Sequence, residues 1–593
     1  MRAAKNGLYA LVSLGGAPLR REDLDAIGAA EALRPGQPGL DDAGIVLRLR
    51  DRTPSPDSGV AARGDEVLAF LGELDAPETL AAALGLRPQT PAAELALRAL
   101  ARWGDEAWER LEGQWSLLKF DRAAGALTLA ASPALRDDLY FTASNDQVAV
   151  APSAIALRGP AWAGGALDPL GLMQSMSNWS YRARRAGRSP FAGVGFVEWG
   201  QWVRFERGGR IARARFDELR APPRWTGDFQ AAAAELEVRA RRAVDRRARR
   251  HTSVAIALSG GLDSSGLAWL ARQTQRTGQR ICAVSSVSPA GSGIPDERRF
   301  IETVAQALEL PTEFVAPPDN ADILIPPAHI FDHAEAPIVG PRHYLYDALH
   351  AAARDAGASA ILDGAMGEFS LSRRATLATP LGQSKRLLRQ GLELARRSAR
   401  AQPWPWTGLH VEPSAEALQL MTEAFGNDAV ERPETDRPLR PSQPMGYPAG
   451  VLKVGKWLTD TPGGELRHIK PFFDRSMIEL VAATPASFTH AAGLPRSFVR
   501  AMLQDRLPAS VVRRTSKAPF SPDFYQRLSR HAPAARARIA DWRTAGADQW
   551  LDLDWLDRML ARIAEGPLAP AVMFRIQSTA NAAEFFVWLA GKG

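Results

Sequence analysis

With 593 residues the chain is too long for one hydrophobic core, and its length implies two to four domains. Its 46% apolar and 23% charged residues are those of an ordinary globular protein, no apolar run reaches membrane-spanning length, and one cysteine, Cys282, excludes a disulfide framework and points to a reducing, cytoplasmic setting. The net charge of +7 does not indicate a nucleic-acid partner, because only eight of the 73 basic residues are lysine and the basic clusters at 182–188 and 239–250 lie apart, without interleaved aromatics.

The basic start with Leu8-Tyr9-Ala10-Leu11-Val12 imitates a signal peptide, but its short apolar part runs into Gly15-Gly16 and reads as a first strand. Up to about residue 210 strand-like runs follow one another at 7–14, 44–49, 115–120, 126–131, 147–151 and 194–205. Helical patterns are expected at 65–74, 92–102 and 169–177. Ala221-Pro222-Pro223-Arg224 is a linker, and a helix to about residue 249 follows, whose arginines read as a solvated face. Strands at 254–258, 281–287, 312–315 and 360–362 then alternate with helices at 296–308 and 344–357, the pattern of a doubly wound parallel sheet. Beyond residue 375 helices dominate, among them 384–397 and 494–503, and Trp404 and Trp406 offer a docking stripe for a peptide.

The most informative stretch is the first strand of that sheet. Its apolar run ends at Leu258 in Ser259-Gly260-Gly261-Leu262-Asp263-Ser264-Ser265, followed by helix-compatible residues. Paired glycines let the backbone approach an anion, and the new helix adds free N–H groups and a positive dipole end. Asp263 would repel a bare phosphate; with Mg²⁺ between them the arrangement becomes favourable. No Walker sequence occurs.

Other segments accompany this one. They are Leu111-Glu112-Gly113-Gln114-Trp115-Ser116-Leu117 with Asp121, Arg136-Asp137-Asp138-Leu139-Tyr140, Asp296-Glu297, Asp363-Gly364, Pro471-Phe472-Phe473-Asp474, and Arg513-Arg514-Thr515-Ser516-Lys517-Ala518-Pro519-Phe520. On these residues the chain resembles the class B asparagine synthetases along nearly its whole length. The resemblance implies an α/β protein with two domains. Residues 1–215 would form an inactive glutaminase-like αββα domain of the N-terminal-nucleophile hydrolase type. Residues 225–593 would form an ATP-pyrophosphatase domain, a doubly wound parallel sheet of the adenine nucleotide α-hydrolase type with a helical C-terminal part.

The departures from that family carry the functional expectation. A glutaminase of this kind uses cysteine as its first mature residue, whereas position 2 is Arg2 and Cys282 falls in an apolar strand, as a small core residue. Ammonia is then not drawn from glutamine, and the amine arrives on another substrate. Relatives without that cysteine close amide rings within one molecule. The β-lactam synthetases among them carry a tyrosine where this chain has Ala365, so the lasso-peptide cyclases are the better match. The expected activity is adenylation of an Asp or Glu side chain of a precursor peptide and attack by its N-terminal amine, giving an isopeptide macrolactam, AMP and pyrophosphate. The alternative is an asparagine synthetase-like or β-lactam synthetase-like ligase acting on a small molecule with ammonia or another amine.

The resemblance also distributes roles. Ser259, Gly260, Gly261 and Ser264 would cradle pyrophosphate, and Leu258 and Ser286 would face the adenine or ribose of ATP. Asp363 and Gly364 would approach the α-phosphate. Glu368, at the place of the family's second acidic ligand, would hold Mg²⁺ with Asp263, and Lys517 would stabilise the oxyanion and the departing AMP. Arg496 and Arg500 are candidates for phosphate contact, Glu335-Ala336-Pro337 for the substrate pocket, and His329 and His333 have the spacing of a helical metal pair. Arg467-His468-Ile469-Lys470 departs from the family pattern and receives no role. Expected partners are the precursor peptide, a leader peptidase and a leader-recognition protein, without nucleic acid or membrane span.

Overall fold

The computed structural model describes residues 5–19, 39–42, 44–50, 57–133, 138–158, 165–176, 187–216, 223–289, 291–340, 342–373, 409–425, 466–519 and 521–592. The helix expected at 384–397, Trp404 and Trp406 lie outside the described residues. The chain divides into two compact units. The front unit takes the described residues of Met1–Ser175 and Arg182–Glu218, and the rear unit those of Leu219–Met445 and Val454–Gly593, together with Met176.

In the front unit, β1 (Gly7–Ser13), β2 (Gly39–Asp42), β3 (Ile45–Arg50), β8 (Tyr140–Ala143), β9 (Gln147–Ala151) and β10 (Gly195–Phe196) form one antiparallel sheet in the order β10-β8-β9-β1-β3-β2. A second sheet runs β12-β11-β7-β6-β5-β4, from β4 (Gly59–Arg63), β5 (Glu66–Leu74), β6 (Gly113–Asp121), β7 (Ala126–Ala131), β11 (Gln201–Glu206) and β12 (Arg210–Arg215). Strand alternation sorts the side chains into layers. Leu118 and Phe120 of β6 meet Leu8, Val12 and Leu47 of the first sheet, while Trp115 and Leu117 of the same strand pack under α1 (Pro77–Leu84) and α2 (Ala92–Trp103). Two stacked sheets with a helical layer outside the second one result.

Two expectations for this unit fail for identifiable reasons. Residues 65–74 form strand β5, not a helix: Val67 to Gly72 are all buried, between the facing sheet on one side and α2 on the other. A strand covered on both faces loses its two-residue alternation and reads as a continuous apolar run. The run 194–205 is two strands in different sheets, β10 and β11, separated by a turn in which Gly200 has φ +74°.

The rear unit is built on a five-stranded parallel sheet of β13 (Ser253–Ala257), β14 (Arg280–Ser286), β15 (Thr312–Val315), β16 (Ala360–Asp363) and β17 (Arg467–Ile469), in the order β15-β14-β13-β16-β17. The chain moves outward one way from β13 and then returns to its other side, so a crevice opens at the carboxyl ends of β13 and β16. Val254 and Ile256 of β13 pack against α3 (Phe229–Ala248), α4 (Leu262–Gln273), α5 (Arg298–Ala307), α7 (Arg475–Ala483) and α8 (Ser497–Leu503). Ala255 points the other way, toward Leu349 and Ala353 of α6 (His343–Asp355). Cys282 is half-buried on β14. Three C-terminal helices, α9 (Phe524–Ala537), α10 (Leu553–Ile563) and α11 (Pro570–Ala590), complete the unit. Among the described residues no helix is long and apolar enough to cross a membrane.

The arginines of α3 are not simply a solvated face. Asp474, 1% exposed, caps α7 by accepting the Met477 N–H at 3.2 Å and is paired with Arg246 and Arg247 of α3. Arg247 also donates to the carbonyl oxygens of Pro471 at 2.6 Å and Phe473 at 3.2 Å. Burial pushes the Asp474 carboxyl up, yet the two guanidinium charges outweigh it and hold its pKa below the ordinary value. Asp474→Ala removes a helix cap and strands buried arginine charge, so we expect a loss of about 3–5 kcal/mol in urea unfolding. In the parent protein this contribution is complete above the ordinary aspartate pKa and is lost as pH falls through the depressed folded-state value, which a pH series of unfolding curves checks.

Candidate active site

β13 delivers the glycine turn to the crevice. Leu258 is 2% exposed, donates its N–H to Val284 O at 3.0 Å and accepts from the Ser285 hydroxyl at 2.7 Å. Gly260 then takes φ +65°, and a Cβ there would lie 2.9 Å from Phe300 Cβ, so the turn excludes a side chain on both conformational and steric grounds. Gly261 is the N-cap of α4. The Ser264 hydroxyl accepts from Ser259 N at 3.1 Å and lies 3.1 Å from Gly261 O and from the Ser259 hydroxyl. Ser264 thus shapes the turn from within, at the start of α4, where the N–H groups have no partner inside the helix itself.

The loop after β16 closes on the same helix start. A Cβ on Gly364 would meet Ser264 N at 2.9 Å, and one on Gly367 would meet Asp263 Oδ1 at 2.4 Å. These close approaches bring Glu368 into the cavity that Asp263 lines. Burial, then the charges of Asp263 and Asp363, push the Glu368 carboxyl up. Two crowded carboxylates of this kind, next to a phosphate-sized turn, suit a hard divalent cation that keeps further oxygens from phosphate and water. Asp263 also accepts from Arg496 Nη1 at 3.3 Å.

A third segment comes from beyond α8. Arg514 donates to Gly260 O at 2.8 Å, stacks 3.8 Å over the Phe300 ring and pairs with Glu297. Glu297 in turn accepts the Ala518 N–H at 2.7 Å. This clamp sets Lys517 across the turn, where a Cβ on Gly261 would lie 3.3 Å from its Nζ. Desolvation, with Arg496 and Arg514 adding repulsion, lowers the Lys517 pKa against the pull of Asp263 and Glu297, though the residue keeps solvent contact.

Together these segments enclose a cavity of about 280 Å³. Leu258, Ser259, Asp263, Ser264, Ser286, Asp363, Gly364, Glu368 and Lys517 all line it, whereas Gly260 and Gly261 form the turn without lining it. Asp363 accepts the Ala365 N–H at 2.9 Å and faces His468 Nε2 at 3.1 Å. Arg500 is turned away, donating to the carbonyl oxygens of Pro495, Val512 and Arg514. Arg496 precedes helix α8, at φ +63°, and so parts company with Arg500 despite their spacing. Glu335 does not line the cavity. His329 and His333 do share a helix, but His329 lies 3.4 Å from Asp347, and among the described residues no group of three His, Cys, Asp or Glu could hold a metal ion. The Glu297–Arg514 clamp and the His468 contact were not assigned from sequence; the only signal was that Asp296-Glu297 and Arg513–Lys517 both belong to the resemblance.

Residues 235–395 and 461–585 match the model of the asparagine synthase family. No curated protein matches the chain. Among solved structures, glutamine phosphoribosylpyrophosphate amidotransferase from B. subtilis, complexed with ADP and GMP, is 12% identical over 52% of this chain and 75% of its own, with a TM-score of 0.23. A structure described as the allosteric regulatory enzyme of purine biosynthesis is 11% identical over 54% of this chain and 77% of its own, also with a TM-score of 0.23. Similarity at that level carries no argument about this chain. The family match does, because its two segments contain every cavity residue named here, from Leu258 to Lys517. The chain therefore carries a domain that matches the asparagine synthase family, in keeping with an ATP-dependent amide ligase.

Proposed function

We propose that the protein is an AMP-forming macrolactam synthetase of the lasso-peptide cyclase type, with a front unit that no longer works as a glutaminase. The observation that carries this reading is a cavity lined by Ser259, Asp263, Glu368 and Lys517 in a chain whose only cysteine, Cys282, sits on a strand of the rear sheet. An amide ligase without its own source of ammonia takes an amine that is already part of a substrate. A precursor peptide, brought by a leader-recognition protein and trimmed by a leader peptidase, supplies both the amine and the acid.

A carboxylate resists attack by an amine because it is negatively charged and has a poor leaving group. Transfer of AMP from ATP removes both obstacles. The first N–H groups of α4, with Ser259 and the glycine turn, receive the pyrophosphate; Leu258 and Ser286 face the nucleoside; the Gly364 backbone comes up to the α-phosphate. Asp263 and Glu368 would hold Mg²⁺, which neutralises phosphate charge when bound. Lys517 donates to the oxyanion of the tetrahedral adduct and to the leaving AMP. A peptide α-amine has an ordinary pKa near 8, so about a tenth is neutral at pH 7 without a strong base. The greater barrier is entropic, and folding the peptide back on itself can be equivalent to about 10⁵–10⁸ M of free amine.

Pyrophosphate release is to be measured with a pool of synthetic peptides bearing a free N-terminus and an Asp or Glu several residues along, with aspartate plus ammonium, and with neither. We expect AMP, pyrophosphate and a product lighter by one water in the peptide arm. Turnover in the aspartate arm alone would replace this reading with the small-molecule one, and ADP with orthophosphate would end both. Asp263→Ala should abolish ATP–pyrophosphate exchange while Arg2→Ala leaves it intact. Lys517→Met should lower amide formation by about 10²–10³-fold in single-turnover assays, the usual loss for one oxyanion donor.

A further inference from the structure

Asp363 stands at the carboxyl end of β16 with 18% of its side chain exposed, toward the cavity. Behind it lies a file of buried imidazoles. His468, on the adjacent edge strand β17, has 1% of its side chain exposed and sets Nε2 3.1 Å from Asp363 Oδ2. Its Nδ1 is 3.2 Å from Nε2 of His350 on α6, itself 2% exposed. Tyr346, one turn earlier on α6, lines the cavity beside Asp363, with its ring centre 6.3 Å from those of both histidines.

The direction of the first hydrogen bond is set by chemistry. An ionised carboxylate only accepts, so His468 donates through Nε2. Burial pushes the Asp363 carboxyl up, but the hydrogen bond and charge of His468, with Lys470 and the Ala365 N–H, overcome it and hold the pKa down at about 2. Burial, then the charge of His468, with Arg354 against the pull of Asp347 and Asp363, keeps His350 at about 3. With both ring nitrogens engaged, His468 cannot turn, and the carboxylate is fixed in one orientation.

Nucleotide binding as proposed above leaves the imidazoles behind Asp363 without a role. An ionised carboxylate repels the α-phosphate, and the side chain that Asp363 faces is the His468 imidazole. What its remaining lone pairs can take from the cavity is an N–H donor, and the amide-forming reaction brings one to this place. Ala365, two residues on, offers no side-chain base.

We propose that Asp363 is the catalytic residue that receives the attacking amine, and that His468, backed by His350, is the positioning residue that aims it. This deepens the amide-ligase reading and rests on it. The amine lone pair forms the C–N bond at the adenylated carbonyl carbon, and the C–O bond to AMP breaks with its electron pair leaving on AMP. The proton shed by nitrogen passes to the Asp363 carboxylate and then to water. A weak base suffices, because the nitrogen loses its basicity as it becomes an amide.

The test uses the full-length protein, ATP, MgCl₂ and the synthetic peptide pool, with His468→Leu, His468→Gln and Asp363→Asn. In His468→Leu, ATP–pyrophosphate exchange should stay within about threefold of the parent while the kcat for amide formation falls about 100-fold or more, the range of a lost general base. His468→Gln restores an N–H toward Asp363 and should recover amide formation to within about tenfold of the parent. Hydroxylamine, neutral at pH 7, should discharge the adenylate equally fast in the parent and in both His468 variants. In the free protein, ¹⁵N-histidine spectra should show His468 protonated at Nε2 and that N–H released to fast exchange in Asp363→Asn. The proposal is overturned if exchange and amide formation fall together, if Gln is no better than Leu, if amide formation is unchanged, or if His468 carries no Nε2 proton. A parent that gives no exchange with any probe sinks the amide-ligase reading itself, which separates the two failures.

Discussion

The rear site depends on one close approach, that of the loop after β16 to the first turn of α4. Gly364 and Gly367 have no room for a Cβ, because Ser264 N and Asp263 Oδ1 occupy it. Two parallel strands end side by side, each with a loop stripped of side chains where they touch, and the carboxylates of Asp263 and Glu368 are forced into one small volume. Each carboxylate raises the cost of ionising the other. Their crowding at the start of α4 gives the crevice a strongly polar floor.

Around that contact, charged side chains act as struts more often than as ligands. Arg514 stacks on Phe300 and ties the glycine turn to Glu297; Arg500 spends its guanidinium on backbone carbonyls; Arg246 and Arg247 hold Asp474. In a chain so rich in arginine, planar multidentate donors replace many of the contacts that a larger apolar core would supply.

The sequence displayed the rear sheet almost element by element, because strand 253–257, its glycine turn and the helices after it each bury one face in step with their period. It also displayed Ser259, Asp263 and Lys517, whose types are unusual where they stand. The front unit was less legible. β5 is covered on both sides and so mimics a helix, and the strands β2 and β8, of four residues each, are too short to show a period. Contacts made between distant segments, such as Glu297 with Arg514 or His468 with Asp363, leave no local trace, since each partner obeys only the period of its own element. Arg496 shows the limit of spacing arguments: four residues from Arg500, it lies outside the helix that would have put them on one face.

The last helix bears on the site without touching it. Asn581 of α11 donates to the carbonyl oxygens of Ile323 and Leu324, each at 2.9 Å, and Gln577 accepts from Arg342 at 2.7 Å. From α9, Arg527 holds the carbonyls of Pro317 and Pro318, and Pro317 is part of the cavity wall. The wall is thus suspended from the far end of the chain. Pro317 is held by a helix that follows it by 210 residues, so this part of the wall closes only once α9 has been made and docked.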